Sequence, residues 1–467
     1  MFIACSAGAS ESVKSIDAAP IVSRGTDVYG DMVFKAGGPI YESKKGENGE
    51  VFYALRPFYS SLRQPAARYS RQEFLWPMGV SRCLDNYQAW RFLLVFGRNF
   101  DTSDSASRYK IWGLPIYFQG RDINGENYFA IFPVGGTIHE ILARDKVSFV
   151  LFPIWIRHSV NDVVTDGWLF PIISRTRGPG ISRFRVFPFY GTSYREGGFR
   201  KRFIMWPFWT DSHWLREGSK GYGYIFFPFW GHTKTEIEET WNILPPIFRF
   251  TRGERRNLTY APWPFYQRVV GSGVDKLYLW PFWGRKVMEM EMKSFFIWPI
   301  GWHSRFDKGE TVRIRTKILP FYYHYTESWK VESGSKEEKP ISRYFKLWPL
   351  YSYDRDGENS ELRCLALCPG RNPGPIDRNW APLWNVYKRS RAGDKVESEL
   401  LWGIYRHKKD GTKKRSFTLF PLFSWERDEG CRGWTFLNGL VGRKKNGIDT
   451  SWQLLYLFKT GKNGEEQ

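Results

Sequence analysis

The chain has 467 residues, of which 42% are hydrophobic and 18% aromatic, with 23 Trp. That is too much apolar area for a disordered chain, and the length suits two or three ordinary domains or one repeat array. A formal net charge of +21 favours anionic partners such as anionic polysaccharide, lipopolysaccharide, anionic phospholipid or nucleic acid, and no run approaches the ~18 apolar residues of a transmembrane helix.

Residues 1–20 read as an N-terminal signal and tether. Met1-Phe-Ile-Ala-Cys5-Ser6 resembles the end of a bacterial lipoprotein signal, in which Cys5 becomes the lipidated residue; Phe2 departs from the usual Leu, and no basic segment precedes it. The tandem-repeat region then runs over 21–458, looser over 21–148. It opens with Ala54-Leu-Arg-Pro-Phe-Tyr59 and Phe74-Leu-Trp-Pro-Met78, and turns such as Lys44-Lys-Gly-Glu-Asn-Gly49 separate its β-prone segments. Within it, Thr137 and Glu140 stand at capping-box spacing with Ile138, Ile141 and Leu142 on one face, which predicts a short helix near 137–144.

From 149 to 368 the repeat is regular. An aromatic-Pro-aromatic motif, fullest in Tyr278-Leu-Trp-Pro-Phe-Trp-Gly284, recurs with prolines at 188, 207, 228, 246, 264, 281, 299 and 320. This spacing predicts one strand of ten to twelve residues centred on each proline, followed by a polar turn. A Pro-rich break covers 369–378, capping repeats cover 379–458, and 459–467 is a polar tail.

Sorted by strand alternation, both faces of each motif are apolar at the centre: Tyr224, Phe226 and Trp230 against Ile225, Phe227 and Phe229. A wide membrane barrel needs a polar lumen. The expectation is therefore all-β, an antiparallel meander of about twenty repeated strands, layered or propeller-like and closed or nearly closed. Proline cannot donate to a ladder and must sit at a bulge, bend or edge.

Leu347-Trp-Pro-Leu-Tyr-Ser-Tyr-Asp-Arg-Asp-Gly357, Leu419-Phe-Pro-Leu-Phe-Ser-Trp-Glu-Arg427 and Leu437-Asn-Gly-Leu-Val-Gly442 resemble the tandem repeats of large uncharacterised bacterial envelope proteins and lipoproteins. The resemblance spans roughly 38–458. It implies an envelope location, with attachment to the outer membrane through the N-terminal lipid, and it carries no catalytic residues.

Chemical motifs are few. A nucleophile elbow, a phosphate-binding loop and His-Glu-x-x-His are all missing from the sequence, so no catalytic residue, metal ligand or cofactor is assigned. Cys83, Cys364, Cys368 and Cys431 make an even set that could pair in an oxidising compartment. His232 and His303 follow motifs at strand exits, and with His324 they would form a ligand set if neighbouring strands brought them together. Trp230, Trp283 and Trp302, with Arg285, His232 and His303, are the candidate binding residues: aromatic rings stack on sugars and cations pair with acidic groups. The expected function is a non-enzymatic, lipid-anchored envelope scaffold or binding protein for anionic glycan or lipid. An envelope location argues against nucleic acid as partner. The alternatives are an integral outer-membrane barrel and a polysaccharide-active enzyme using paired turn carboxylates such as Asp354, Asp356 and Glu358.

Overall fold

The computed structural model describes residues 16–330, 339–412, 414–447, 449–455 and 458–462; Cys5 and most of the expected tether and polar tail lie outside them. The described residues are all-β, with 46 strands and two short α-helices, Gly374–Asn379 and Ala381–Trp384. Strands pair antiparallel with their neighbours in sequence. Two compact units form, one from residues 86–306 and one from 1–85 with 307–467.

In residues 86–306 the motif proline lies in a turn rather than at the centre of a strand. The strand Gly221–Phe226 ends, Phe227-Pro228-Phe229 reverses the chain, and Trp230–Thr235 returns beside it. The Phe229 N–H donates to the Phe226 carbonyl at 2.9 Å, and the Phe227–Pro228 peptide is cis, the geometry of a type VI turn. The same construction recurs at Pro115, Pro153, Pro171, Pro207, Pro281 and Pro299. Each expected long strand is therefore two strands of about six residues, which is why the count exceeds twenty. Aromatic residues fill the positions where polar residues usually mark a turn, so hydrophobicity alone read straight through it. The expected closure is not seen either: among the described residues no ladder joins the strand Tyr87–Phe92 to the strand Gly301–Asp307.

Turns in a meander alternate between the two edges of its sheet. All the proline turns of this unit therefore lie along one edge, and the polar turns, such as Asn161-Asp162, Pro179-Gly180 and Ser272-Gly273, lie along the other. Successive proline turns are tied by further backbone hydrogen bonds, Trp206 N–H to the Pro188 carbonyl and Trp298 N–H to the Pro281 carbonyl, both at 2.7 Å. The aromatic rings preceding proline also touch along the edge: Phe152 and Phe170 at 5.9 Å, Trp280 and Trp298 at 5.8 Å.

The glycine that closes the motif has a packing role. Gly284 pairs with Phe295 across the ladder, and a Cβ on Gly284 would lie 2.2 Å from the Phe295 ring. Gly191 stands in the same relation to Phe203. Backbone without a side chain is what lets the ring lie flat across the neighbouring strand.

The expected helix near 137–144 is a hairpin, Gly135–Ile141 paired with Arg144–Val150 around Leu142-Ala143. Both turn residues have positive φ, as a type I′ turn requires. Thr137 meets Ser148 at 3.0 Å instead of capping a helix, and Glu140 pairs with Lys110 at 2.5 Å. Ile138 is buried with Phe118, Tyr128, Ala130 and Phe149; packing on the sheet outweighs the local capping signal.

In the other unit, strands from the two ends of the chain meet through side chains, and the contact layer is charged. Lys35 reaches Glu399 at 2.9 Å and Arg406 reaches Asp17 at 2.8 Å. Glu73, 1% exposed, accepts from Arg71 at 2.7 Å, Arg378 at 2.8 Å and Asn379 at 2.5 Å. Lys346, fully buried, donates to the Cys368 carbonyl and to Asn372. Burial on its own raises a carboxyl pKa, but Lys35, helped by Arg406, brings Glu399 down to about 2. Glu361 is likewise lowered, by Lys388 and Arg363, against its burial. Lys388 still keeps 47% of its side-chain surface open to solvent, so this layer is wet on that side. The two helices lie in the expected Pro-rich break and its sequel, and the first of them supplies Arg378 and Asn379 to Glu73.

Candidate ligand-binding face

Strand alternation sorts residues 86–306 into two faces. The more enclosed face carries Ala89, Phe118, Tyr128, Phe149, Leu258 and Phe295. The other carries aromatic and basic side chains in rows set by the register. Nearest the proline edge, Trp209 lies opposite Phe226, Phe226 opposite Trp230, and Trp230 opposite Ile243. One step inward the row runs Asp211, Tyr224, His232, Trp241 and Phe250.

Neighbouring side chains hold these groups in place. Trp209 and Tyr224 stack at 5.6 Å with planes 13° apart, and the Trp209 indole donates to Asp211 at 3.1 Å. Asp211 also accepts from Arg202 at 2.9 Å. The His232 ring lies 4.0 Å from that of Trp241 and its Nε2 lies 2.8 Å from Glu239. Trp241 remains 52% exposed and Trp230 58%.

Five of the six sequence candidates share this face. Trp230 and His232 sit together on Trp230–Thr235, and Trp283 and Arg285 together on Trp283–Met288, six strands or ~29 Å away at strand spacing. His303 is on the same face, since it pairs with Ser294, which pairs with Arg285. Trp302 is on the opposite face beside Phe295, its indole donating to the Pro299 carbonyl at 2.9 Å. His232 and His303 are eight strands apart, ~38 Å, so neighbouring strands do not assemble them into a ligand set.

The same composition recurs in the unit formed by 1–85 and 307–467. There a groove of about 460 Å³ is lined by Tyr387, Tyr405, Arg389, Arg391, His407 and Lys409, with Asp394 as its one carboxylate. Its walls are the paired strands Tyr387–Ala392, Lys395–Leu400 and Tyr405–Asp410. Arg389, Arg391 and Lys409 make no ion pair among the described residues; Arg391 Nε donates to the Gly393 carbonyl at 2.9 Å. Sequence reading missed this groove because its strands lack the proline motif. The signal was there in the alternation Tyr387-x-Arg389-x-Arg391 facing Tyr405-x-His407-x-Lys409.

Asp122, Glu126 and His139 bring ligand-type atoms within 4.8 Å of one another. His139 Nδ1 lies 2.7 Å from Asp122 Oδ2, and Asp122 Oδ1 accepts the backbone N–H groups of Asn124 and Glu126, each at 2.9 Å. The Asp122 carboxyl is lowered because these hydrogen bonds outweigh its desolvation. These contacts brace the turn, while the Glu126 carboxylate stays exposed with Lys146 4.0 Å away. Cys83, Cys364 and Cys368 are free thiols. Asp356, at the end of the strand Tyr351–Asp356, and Glu358, in the turn that follows, are exposed, and Asp354 faces Arg371 at 3.5 Å.

No family model matches the chain, and no curated protein matches it.

Proposed function

We propose that the chain is a non-enzymatic binding scaffold of a bacterial envelope, lipid-anchored through Cys5, that holds anionic glycan along its aromatic and basic face. The observation that carries this reading is the groove of Tyr387, Tyr405, Arg389, Arg391, His407 and Lys409, whose rings suit the apolar faces of sugars while its unpaired cations suit their acidic groups. Within the unit 86–306, the rows around Trp230, Trp241 and Trp283 repeat the same chemistry over many strands, which suits a polymer better than a small molecule. Most strands, such as Gly221–Phe226 and Trp283–Met288, have about six residues and fall short of the ~9–11 that cross a bilayer in a barrel, a length that Lys339–Leu347 reaches; this weighs against the integral-membrane alternative.

The test is calorimetric titration with polygalacturonate and with neutral dextran. Binding of the acidic polymer alone is expected, weakening as salt rises, with at least a tenfold loss in the Arg389→Ala/Arg391→Ala/Lys409→Ala variant. Equal affinity for both polymers, or full affinity in the variant, would refute the reading.

A further inference from the structure

We infer that the proline-turn edge of residues 86–306 is a docking surface for an anionic lipid bilayer. This does not rest on the groove that carries the glycan reading, although its arginines, Arg285 among them, stand on the face whose rows that reading also uses.

The residue that follows each proline of this edge from Pro115 to Pro299 is apolar and lies outside the core. Ile116, Phe189, Phe208, Phe229 and Phe282 are 58%, 58%, 52%, 56% and 70% exposed, and even the most sheltered of the series, Ile247, is 40% exposed. Trp206, Trp263 and Trp298, which precede proline, are exposed beside them. Neighbouring turns are ~10 Å apart, two strand spacings, so the exposed groups form a continuous row rather than scattered single residues. Such a row exceeds what a soluble surface ordinarily leaves open. The opposite edge has mainly polar tips, with Asp162, Gly180, Gly197 and Gly273 at its turns, and its most exposed large apolar residues, Ile123, Leu142 and Met290, stand at three separate turns instead of following one another in a row.

Charge complementarity identifies the occupant. The third strand residue from the turn is Arg157, Arg175, Arg202, Arg268 or Arg285 on five strands; Arg157, Arg202 and Arg268 are ion-paired with Asp166, Asp211 and Asp275, and Arg175 and Arg285 make no ion pair among the described residues. Two residues of strand place these arginines ~7 Å behind the tips. Interfacial segments bury their apolar groups ~5–10 Å into the headgroup and acyl boundary, so the guanidinium groups would lie at phosphate level when the tips are buried. Tryptophan beside the tips is the aromatic type enriched at that interface. A second protein copy with the same excess of positive charge would bring like charges together along the contact.

Flotation of the full chain carrying Cys5→Ala, so that no acyl group contributes, tests this. The probes are vesicles of phosphatidylcholine alone and of phosphatidylcholine with phosphatidylglycerol. The chain is expected to float with the anionic vesicles, with Trp fluorescence quenched by brominated acyl chains. The Phe189→Ser/Phe208→Ser/Phe229→Ser/Phe282→Ser variant is expected to lose at least nine-tenths of the bound fraction while keeping its circular dichroism and denaturation midpoint. Should the variant misfold, Arg175→Glu/Arg285→Glu supplies the second arm, with an expected loss confined to the anionic vesicles. The inference is overturned if the parent chain stays unbound to both vesicles or if a folded turn variant floats like the parent. It is equally overturned if sedimentation shows an oligomer that the turn variant dissolves, since the edge would then join copies of the chain. Loss of glycan binding in the groove variant leaves this result untouched.

Discussion

Glu73 and Arg378 stand 305 positions apart in the sequence and meet at 2.8 Å in the interior of one unit, where Glu73 retains 1% of its surface. Arg71, Asn379 and Ser60 complete the coordination of the carboxylate. A buried charge with this many partners is costly to orphan, although the whole group adds little over a well-packed apolar one.

Glu73→Gln is therefore expected to destabilise the fold by about 3–5 kcal/mol, because Arg378 and Arg71 lose their counter-charge. Arg378→Met should cost a similar amount, and the double variant less than the sum. Urea denaturation of the four proteins measures the coupling. Additive losses would show that the pair does not interact in solution.

The charged layer also sets the acid limit. The folded carboxyl of Glu399 sits at about 2 against an ordinary 4.5, held down by Lys35 and Arg406 despite its burial. The unfolded state thus binds more protons, so the stabilisation is present above pH ~4.5 and is lost as pH falls toward ~2; the shift corresponds to roughly 3 kcal/mol. Glu399→Gln should be less stable at neutral pH and flatter across that window. An unchanged slope in stability from pH 5 to 2 would contradict the assignment.

At the motif glycine, Gly284→Ala places a methyl into the Phe295 ring, 2.2 Å from its nearest atom. Overpacking of this kind costs about 1–3 kcal/mol. Adding Phe295→Leu should recover part of the loss, since a shorter side chain clears the position. Thermal denaturation of the two variants decides whether cross-strand packing explains the glycine.

The turn brace makes a separate prediction. Asp122→Ala removes the acceptor for His139 and for two backbone N–H groups, with an expected loss of about 1–3 kcal/mol, chiefly from the buried His139 left without its partner. Exchange of the Asn124 and Glu126 amides by hydrogen–deuterium mass spectrometry should accelerate. Unchanged protection would place the acceptor elsewhere.

Much of the architecture was legible in the residues themselves. Repeating β-prone segments, polar turns at fixed intervals and proline that cannot join a ladder define an antiparallel meander, and these are local properties of the chain. Alternation within Trp230–Thr235 and Trp283–Met288 also put Trp230 with His232 and Trp283 with Arg285 on common faces. What only the tertiary structure decided depends on which segments meet. The chain reverses at Phe227-Pro228-Phe229 even though the turn is as hydrophobic as a strand, so periodicity carried no mark of it. Glycine 284 makes sense only once Phe295 lies across it, and the 137–144 segment pairs as a hairpin because Ile138 finds Phe118 and Phe149. Glu73 reaches Arg378, and Lys35 reaches Glu399, through contacts between distant parts of the chain. Burial makes such contacts decisive, yet it leaves no local pattern, since a charge bound for an interior looks in sequence like a charge bound for water.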